Sequence, residues 1–200
     1  MNISEIITNP ARDEYLDQYL YTLKDAIPVA KIKDLELRKS ADAIEINYGL
    51  FDKDDRLVGY FSLEYAGKSR WQVSLVQLAQ AYKGQGYGTF FYDYAVMNDK
   101  LTVVADGTNT SGPHSSKNLW TNVWKNARYE VKGTNLKTGE VFDVTDPESQ
   151  IYNRDFNTRW IAFPPNKTIS ESMEFLQSRT KKRHIVWYGP GTTTEYFFNH

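Results

Sequence analysis

The sequence predicts an α+β protein: a mixed, mostly antiparallel sheet flanked by helices, with a C-terminal extension. Three observations carry this. Between Asp42 and Tyr82 lie three stretches rich in β-branched and aromatic residues, separated by short polar turns. A glycine-rich turn, "KGQGYG", joins the last of them to "GYGTFFYDYAVM", whose bulky residues recur on successive helical turns. The short apolar run "LTVVAD" follows, which gives the order strand, glycine turn, helix, strand.

Composition sets the bounds. At 200 residues, 40% hydrophobic and 24% charged, the chain can bury one sizeable core and has none of the biases of disordered or fibrous sequences. A formal net charge of −1 argues against a large electrostatic footprint on nucleic acid or anionic lipid. The absence of cysteine excludes disulfides, thiolate chemistry and Cys-rich zinc sites. The opening "MNISEIITNPARDEYL" has neither a basic nor an apolar signal region, and no apolar run approaches the roughly 20 residues of a membrane span, so a cytoplasmic location with no membrane partner is expected.

The elements follow in order. "NPARDEYLDQYLYTLKDA" spaces Tyr15, Leu16, Tyr19, Leu20 and Leu23 at helical intervals, with Asn9 and Pro10 as start signals. "DAIEINYGLF", "RLVGYFSLEY" and "RWQVSLVQLAQAY" then read as a three-stranded meander through the turns "DKDD" and "AGKS". After the loop "DGTNTSGPHSSKN" a second helix is expected over "SKNLWTNVWKNA", and "YEVKGTNLKTGEVFDV" reads as a hairpin around "KTGE". Residues 146–200 form the extension, with a helical pattern in "TISESMEFLQSRTKKR" and an apolar segment in "HIVWYGPGTTTEYFF"; residues 1–145 form the main domain.

The chemistry centres on the glycine turn. Glycines between a strand and a helix let backbone N–H groups approach an anion, and the helix N-terminus adds a partial positive charge that suits a pyrophosphate; a plain tight turn is the competing reading. Two cofactors fit such a seat. Gly84, Gly86 and Thr89 approximate G-x-G-x-x-G, with Asp106 about 20 residues on where a dinucleotide's ribose would meet an acid, but the strand before the turn follows two antiparallel hairpins and opens no parallel series.

The stretch "LAQAYKGQGYGTFF" also resembles the acyl-CoA-binding motif of the GNAT (GCN5-related N-acetyltransferase) superfamily, R/Q-x-x-G-x-G/A, with Lys83, Gly86 and Gly88 in its key places. Lys83 stands where arginine or glutamine is usual, keeping the charge and losing the planar fork. The resemblance covers about residues 9–145. It implies acetyl-CoA or another acyl-CoA as co-substrate, no metal, and direct attack of an amine on the thioester where two strands splay apart at a bulge. On this resemblance Leu78 and Ala79 would offer backbone groups to the acyl and pantetheine arm, and Lys83, Gly84, Gln85, Gly86, Tyr87, Gly88 and Thr89 would hold the pyrophosphate.

It also implies a base and an acid. Asp106 and Glu64 are the candidate bases, each with a plainer reading as a solvated or capping charge. The family's tyrosine acid lies in a pattern like L-Y-x-x-x-G-F. The matching stretch "VWKNARY" puts Trp124 in that place, leaving Tyr92 and Tyr129 as candidate donors that would otherwise be core aromatics. His114, His184 and His200 have no metal-ligand spacing, and "RTKKRH" suits a helix end as well as a phosphate.

The expected function is an N-acyltransferase acting on an amine-bearing small molecule or protein. The alternatives are a catalytically silent GNAT-like binding protein and a GNAT-like enzyme modifying nucleic-acid bases. The last comes from a resemblance to bacteriophage members of that superfamily, which would place the chain in the host cytoplasm.

Overall fold

A computed structural model of the chain describes residues 14–106, 117–152, 154, 157–165 and 185–187. Ten strands form one sheet in the order β10-β1-β2-β3-β4-β5-β6-β9-β7-β8. They are β1 Ile27–Ile32, β2 Leu35–Ala41, β3 Glu45–Phe51, β4 Leu57–Tyr65, β5 Arg70–Leu78, β6 Thr102–Val104, β7 Glu130–Asn135, β8 Val141–Phe142, β9 Thr158–Phe163 and β10 Ile185–Trp187. Every pair among them is antiparallel except β5–β6. The α+β class with a mixed, mostly antiparallel sheet is therefore the one read from the sequence. A dinucleotide fold needs a parallel series, and the single parallel pair here does not supply it.

The expected meander of three strands is one of five, because β1 and β2 precede it. Their hairpin turns at Lys33 and Asp34, with Lys33 at φ 54°, a left-handed conformation usually signalled by glycine or asparagine. Neither residue is there to announce it. Strand β9 is a second addition from beyond residue 146, and it lies inside the sheet between β6 and β7.

The N-terminal helix ends earlier than its periodicity suggests. Helix α1 covers Glu14–Asp17, and a separate 3-10 turn follows at Tyr21–Leu23. Leu16 and Leu23 enter a small core with Phe51, Leu57, Tyr60 and Ala79 on one face of the sheet, while Leu20 and Tyr21 remain exposed. Two buried anchors seven residues apart suffice to fix the segment. The helical pattern in residues 168–183 lies outside the described residues.

The other face carries the main core beneath α2, Tyr87–Met97, and α3, Lys117–Asn126. Ten of the eleven α2 residues are buried, as expected of a helix with apolar side chains all round, packed on β5, β6 and α3. Its far end is pinned by charge. Tyr48 Oη donates to Asp99 Oδ2 at 2.5 Å, and Lys39 Nζ lies 2.9 Å from the same oxygen.

Gly59 on β4 is a packing requirement: a Cβ there would lie 2.7 Å from Leu78 Cδ2 and 3.3 Å from Phe91 Cζ, where β5 and α2 meet β4. Gly59→Ala is expected to cost about 1–3 kcal/mol in a urea titration, the usual penalty for overpacking.

Candidate active site

The site begins where β5 and β6 part. Their parallel ladder has three rungs, Arg70–Thr102, Trp71–Val103 and Gln72–Val104. Beyond Gln72 the strand carries an extra residue: Leu63 pairs with Val73 and Ser62 with Leu75, so Ser74 bulges. A bulge bends its strand and sharpens its twist. Past it β5 stays with β4, while β6, already paired with β9 along its other edge through Val103–Ala162 and Val104–Ile161, goes on with β9 alone by a bond from Ala105 N–H to Trp160 C=O of 2.9 Å. A gap opens between the C-terminal ends of two parallel strands.

The edges of this gap follow from backbone alternation. Ala79 N–H bonds to Val58 C=O of β4 at 2.9 Å, so the peptide groups of Leu78 and Val76 face the opposite edge, toward the gap. Leu78 can thus offer its backbone to a ligand, and Ala79 N–H is already engaged with β4. Asp106 leaves β6 on the opposite wall.

At the end of β5 a 3-10 turn, Gln80–Tyr82, leads into the glycines. Gly84 at φ 73° and Gly86 at φ 87° occupy the left-handed region, and a Cβ on either would meet nothing within 4 Å. The turn needs glycine for its conformation, and the space before it is open. Gly86 caps α2 without a side-chain bond, and the first helical bond runs from Phe90 N–H to Gly86 C=O at 3.0 Å. The N–H groups of Tyr87, Gly88 and Thr89 therefore lack intrahelical partners and carry the positive end of the helix dipole.

Gly88 differs from the other two. A Cβ there would lie 3.2 Å from Leu119 Cδ1, so its smallness lets α3 close on α2. Gln85 folds back, its Nε2 donating to Ala81 C=O at 2.7 Å. Lys83 is exposed at the rim, and Lys33 of the β1–β2 turn holds its Nζ 5.4 Å from the Tyr87 ring centre, which brings a second cation to the same corner. Sequence reasoning missed Lys33, because only the folded hairpin brings it there.

The four candidate acid–base residues separate into two environments. Glu64 is exposed near the end of β4 and accepts a hydrogen bond of 2.7 Å from Ser74 Oγ, which sets it beside the bulge. It stands directly opposite Glu45 of β3. Like charges in register disfavour each other.

Tyr92, Tyr129 and Asp106 lie on the other face. Burial, with Asp106 nearby as a second cause, pushes the Tyr92 hydroxyl well above the usual tyrosine range, and burial raises Tyr129 likewise. Arg159 is buried next to them with its Nη1 3.5 Å from Ala105 C=O; burial lowers its pKa and Asp106 opposes that. Trp124 is half-buried on α3 against Trp160, 5.8 Å between ring centres. No group of three metal-ligating side chains occurs among the described residues; His114, His184, His200 and the whole of "RTKKRH" lie outside them.

A splayed parallel pair, a bulge and a left-handed glycine turn opening a helix thus lie at one corner of the sheet. No family model and no curated protein matches the chain. Among solved structures the chain is similar to an IAA acetyltransferase from Bacillus cereus, at 12% identity over 60% of this chain and 78% of that one, TM-score 0.36. It is also similar to the spermidine/spermine N-acetyltransferase SpeG from Vibrio cholerae, at 11% identity over 68% and 70%, TM-score 0.38. A third is a GNAT family acetyltransferase from Elizabethkingia anophelis with acetyl-CoA bound, at 13% identity over 77% and 84%, TM-score 0.33. At these scores the likeness is loose.

The buried hydroxyls carry a pH signature. Tyr48, Tyr92, Tyr94 and Tyr129 all have folded-state pKa values raised above the unfolded one, by burial first. Their contribution is complete below the unfolded value near 10 and is lost as pH rises above it, since only the unfolded chain then releases those protons. Urea midpoints should therefore fall between pH 9 and 11, and Tyr129→Phe should make that fall shallower.

Proposed function

We propose that the chain is an acyl-CoA-dependent N-acyltransferase whose acceptor carries an ammonium group. The observation that carries this is the gap: an unpaired β5 edge leading directly to a glycine turn with open space before it and free helix N–H groups behind it. An acyl-CoA supplies an activated thioester carbonyl, a pantetheine arm with amide groups, and a pyrophosphate. The arm would add to the β5 edge at Val76 and Leu78, and the pyrophosphate would sit on the backbone of Gly84 to Thr89, with Lys83 and Lys33 at its rim.

Acid–base roles follow from the two environments. Glu64 is accessible, oriented by Ser74 and crowded by Glu45, so an approaching ammonium relieves a like-charge pair and then gives up a proton to a carboxylate already in place. The amine nitrogen forms the new C–N bond as the C–S bond breaks. Asp106 on the opposite wall holds the acceptor's charge. Tyr92 and Tyr129, buried in the main core and kept protonated there, stay out of the proton transfer. A thiolate with a pKa near 8.5 can leave without them and take its proton from solvent.

Acetyl-CoA at about 100 times its dissociation constant should stabilise the fold by about 2.7 kcal/mol, and NAD should not. Gly86→Ala should cost about 1–2 kcal/mol of stability through its left-handed φ while removing most acetyl-CoA affinity, because the new Cβ enters the phosphate space. Loss of stability with unchanged affinity would identify a plain turn. Glu64→Gln should lower kcat toward an amine panel by about 10²–10⁴-fold with acetyl-CoA affinity preserved. Binding with no turnover in the parent chain would favour the silent-binder alternative.

A further inference from the structure

One lysine occupies a backbone position that suits glycine. Lys33 is the first of the two residues that join β1 to β2, and its φ is 54°. Glycine adopts that left-handed conformation freely, and aspartate or asparagine with the least strain among the rest. Asp55, the other non-glycine residue with positive φ at this end of the sheet, has such a short polar side chain; Lys33 does not. The pairs Ile32–Leu35, Glu36–Phe51, Phe51–Leu57 and Gly59–Leu78 follow one another along this end, so the Lys33 turn and the glycine turn share it. Lys33 reaches toward the glycine turn: its Nζ is 5.4 Å from the ring centre of buried Tyr87, the first residue of α2. No carboxylate among the described residues pairs with it. Asp52 and Asp54 are ion-paired with Arg56, and Asp55 and Glu36 with Arg38.

We infer that Lys33 selects the acyl donor: a lysine is kept where the turn would take glycine because its ammonium meets a phosphate at the nucleotide end of that donor. This rests on the acyl-CoA reading above. Strand order gives the direction. On that reading the pantetheine arm lies on the β6 side of β5, and β1 to β4 lie on the other side. A ligand that continues past the glycine turn, away from the gap, runs toward the side from which Lys33 comes. An exposed ammonium held by one aromatic face turns readily to a phosphate oxygen, because the charge-assisted bond is the stronger contact. The pyrophosphate and the 3′-phosphate share this chemistry. Lys33 stands away from the arm, so it favours donors that carry nucleotide phosphates over the arm alone.

Lys33→Gly tests this, since its two effects run in opposite directions. Its melting temperature should equal or exceed that of the parent, because the turn is relieved. Its dissociation constant for acetyl-CoA should rise about tenfold, the loss of one charged contact, and Lys33→Arg should keep most of the affinity. Acetylpantetheine, which has no phosphate, should bind parent and Lys33→Gly alike. Acetyl-dephospho-CoA names the phosphate: a loss that persists with it identifies the pyrophosphate, and one that disappears identifies the 3′-phosphate. Unchanged acetyl-CoA affinity in Lys33→Gly, an equal loss with acetylpantetheine, or a lowered melting temperature would overturn this inference and leave the acyl-CoA reading intact. A parent chain that binds no acetyl-CoA would overturn both.

Discussion

Three rungs of parallel pairing, from Arg70–Thr102 to Gln72–Val104, join the meander to the second half of the sheet. A longer ladder would seal the sheet. The Ser74 bulge sets the number: β5 bends away after it, and β6 continues with β9, its partner on the other edge. The gap is a consequence of register.

That register also dictates the helix. A parallel pair needs a crossover, and α2 supplies it between Leu78 and Thr102, so its N-terminus must open at the C-terminal end of β5 beside the gap. Burial of α2 on nearly every face fixes this position, and the Tyr48–Asp99–Lys39 cluster clamps its far end. The glycine turn thus projects from a rigid element, as a binding site requires.

Much of this was legible. Strands 45–51, 57–65 and 70–78, helix 87–97 and the hairpin around Gly139 each carry a local signal, either alternation, a glycine turn or a helical run. What escaped lacked one. The Lys33–Asp34 turn has left-handed backbone without glycine, so β1 and β2 went unread, and Lys33 with them. Strand β9 holds Arg159, buried against Ala105 C=O, where a charge in a short run hides an interior strand. Gly84, Gly86 and Gly88 looked alike in sequence, yet the first two serve backbone conformation and open space, and the third serves helix packing. The bulge at Ser74 has no sequence signature; it emerges from how β4 and β5 align.

Amide hydrogen exchange at Val76 and Leu78 tests the central claim most directly. If the β5 edge faces an open gap that an acyl-CoA fills, these two amides exchange quickly in the free protein and become protected on adding acetyl-CoA, while Ala79, bonded to Val58, is protected throughout. Slow exchange at Val76 and Leu78 without ligand, or acetyl-CoA binding that leaves them unprotected, would contradict the account.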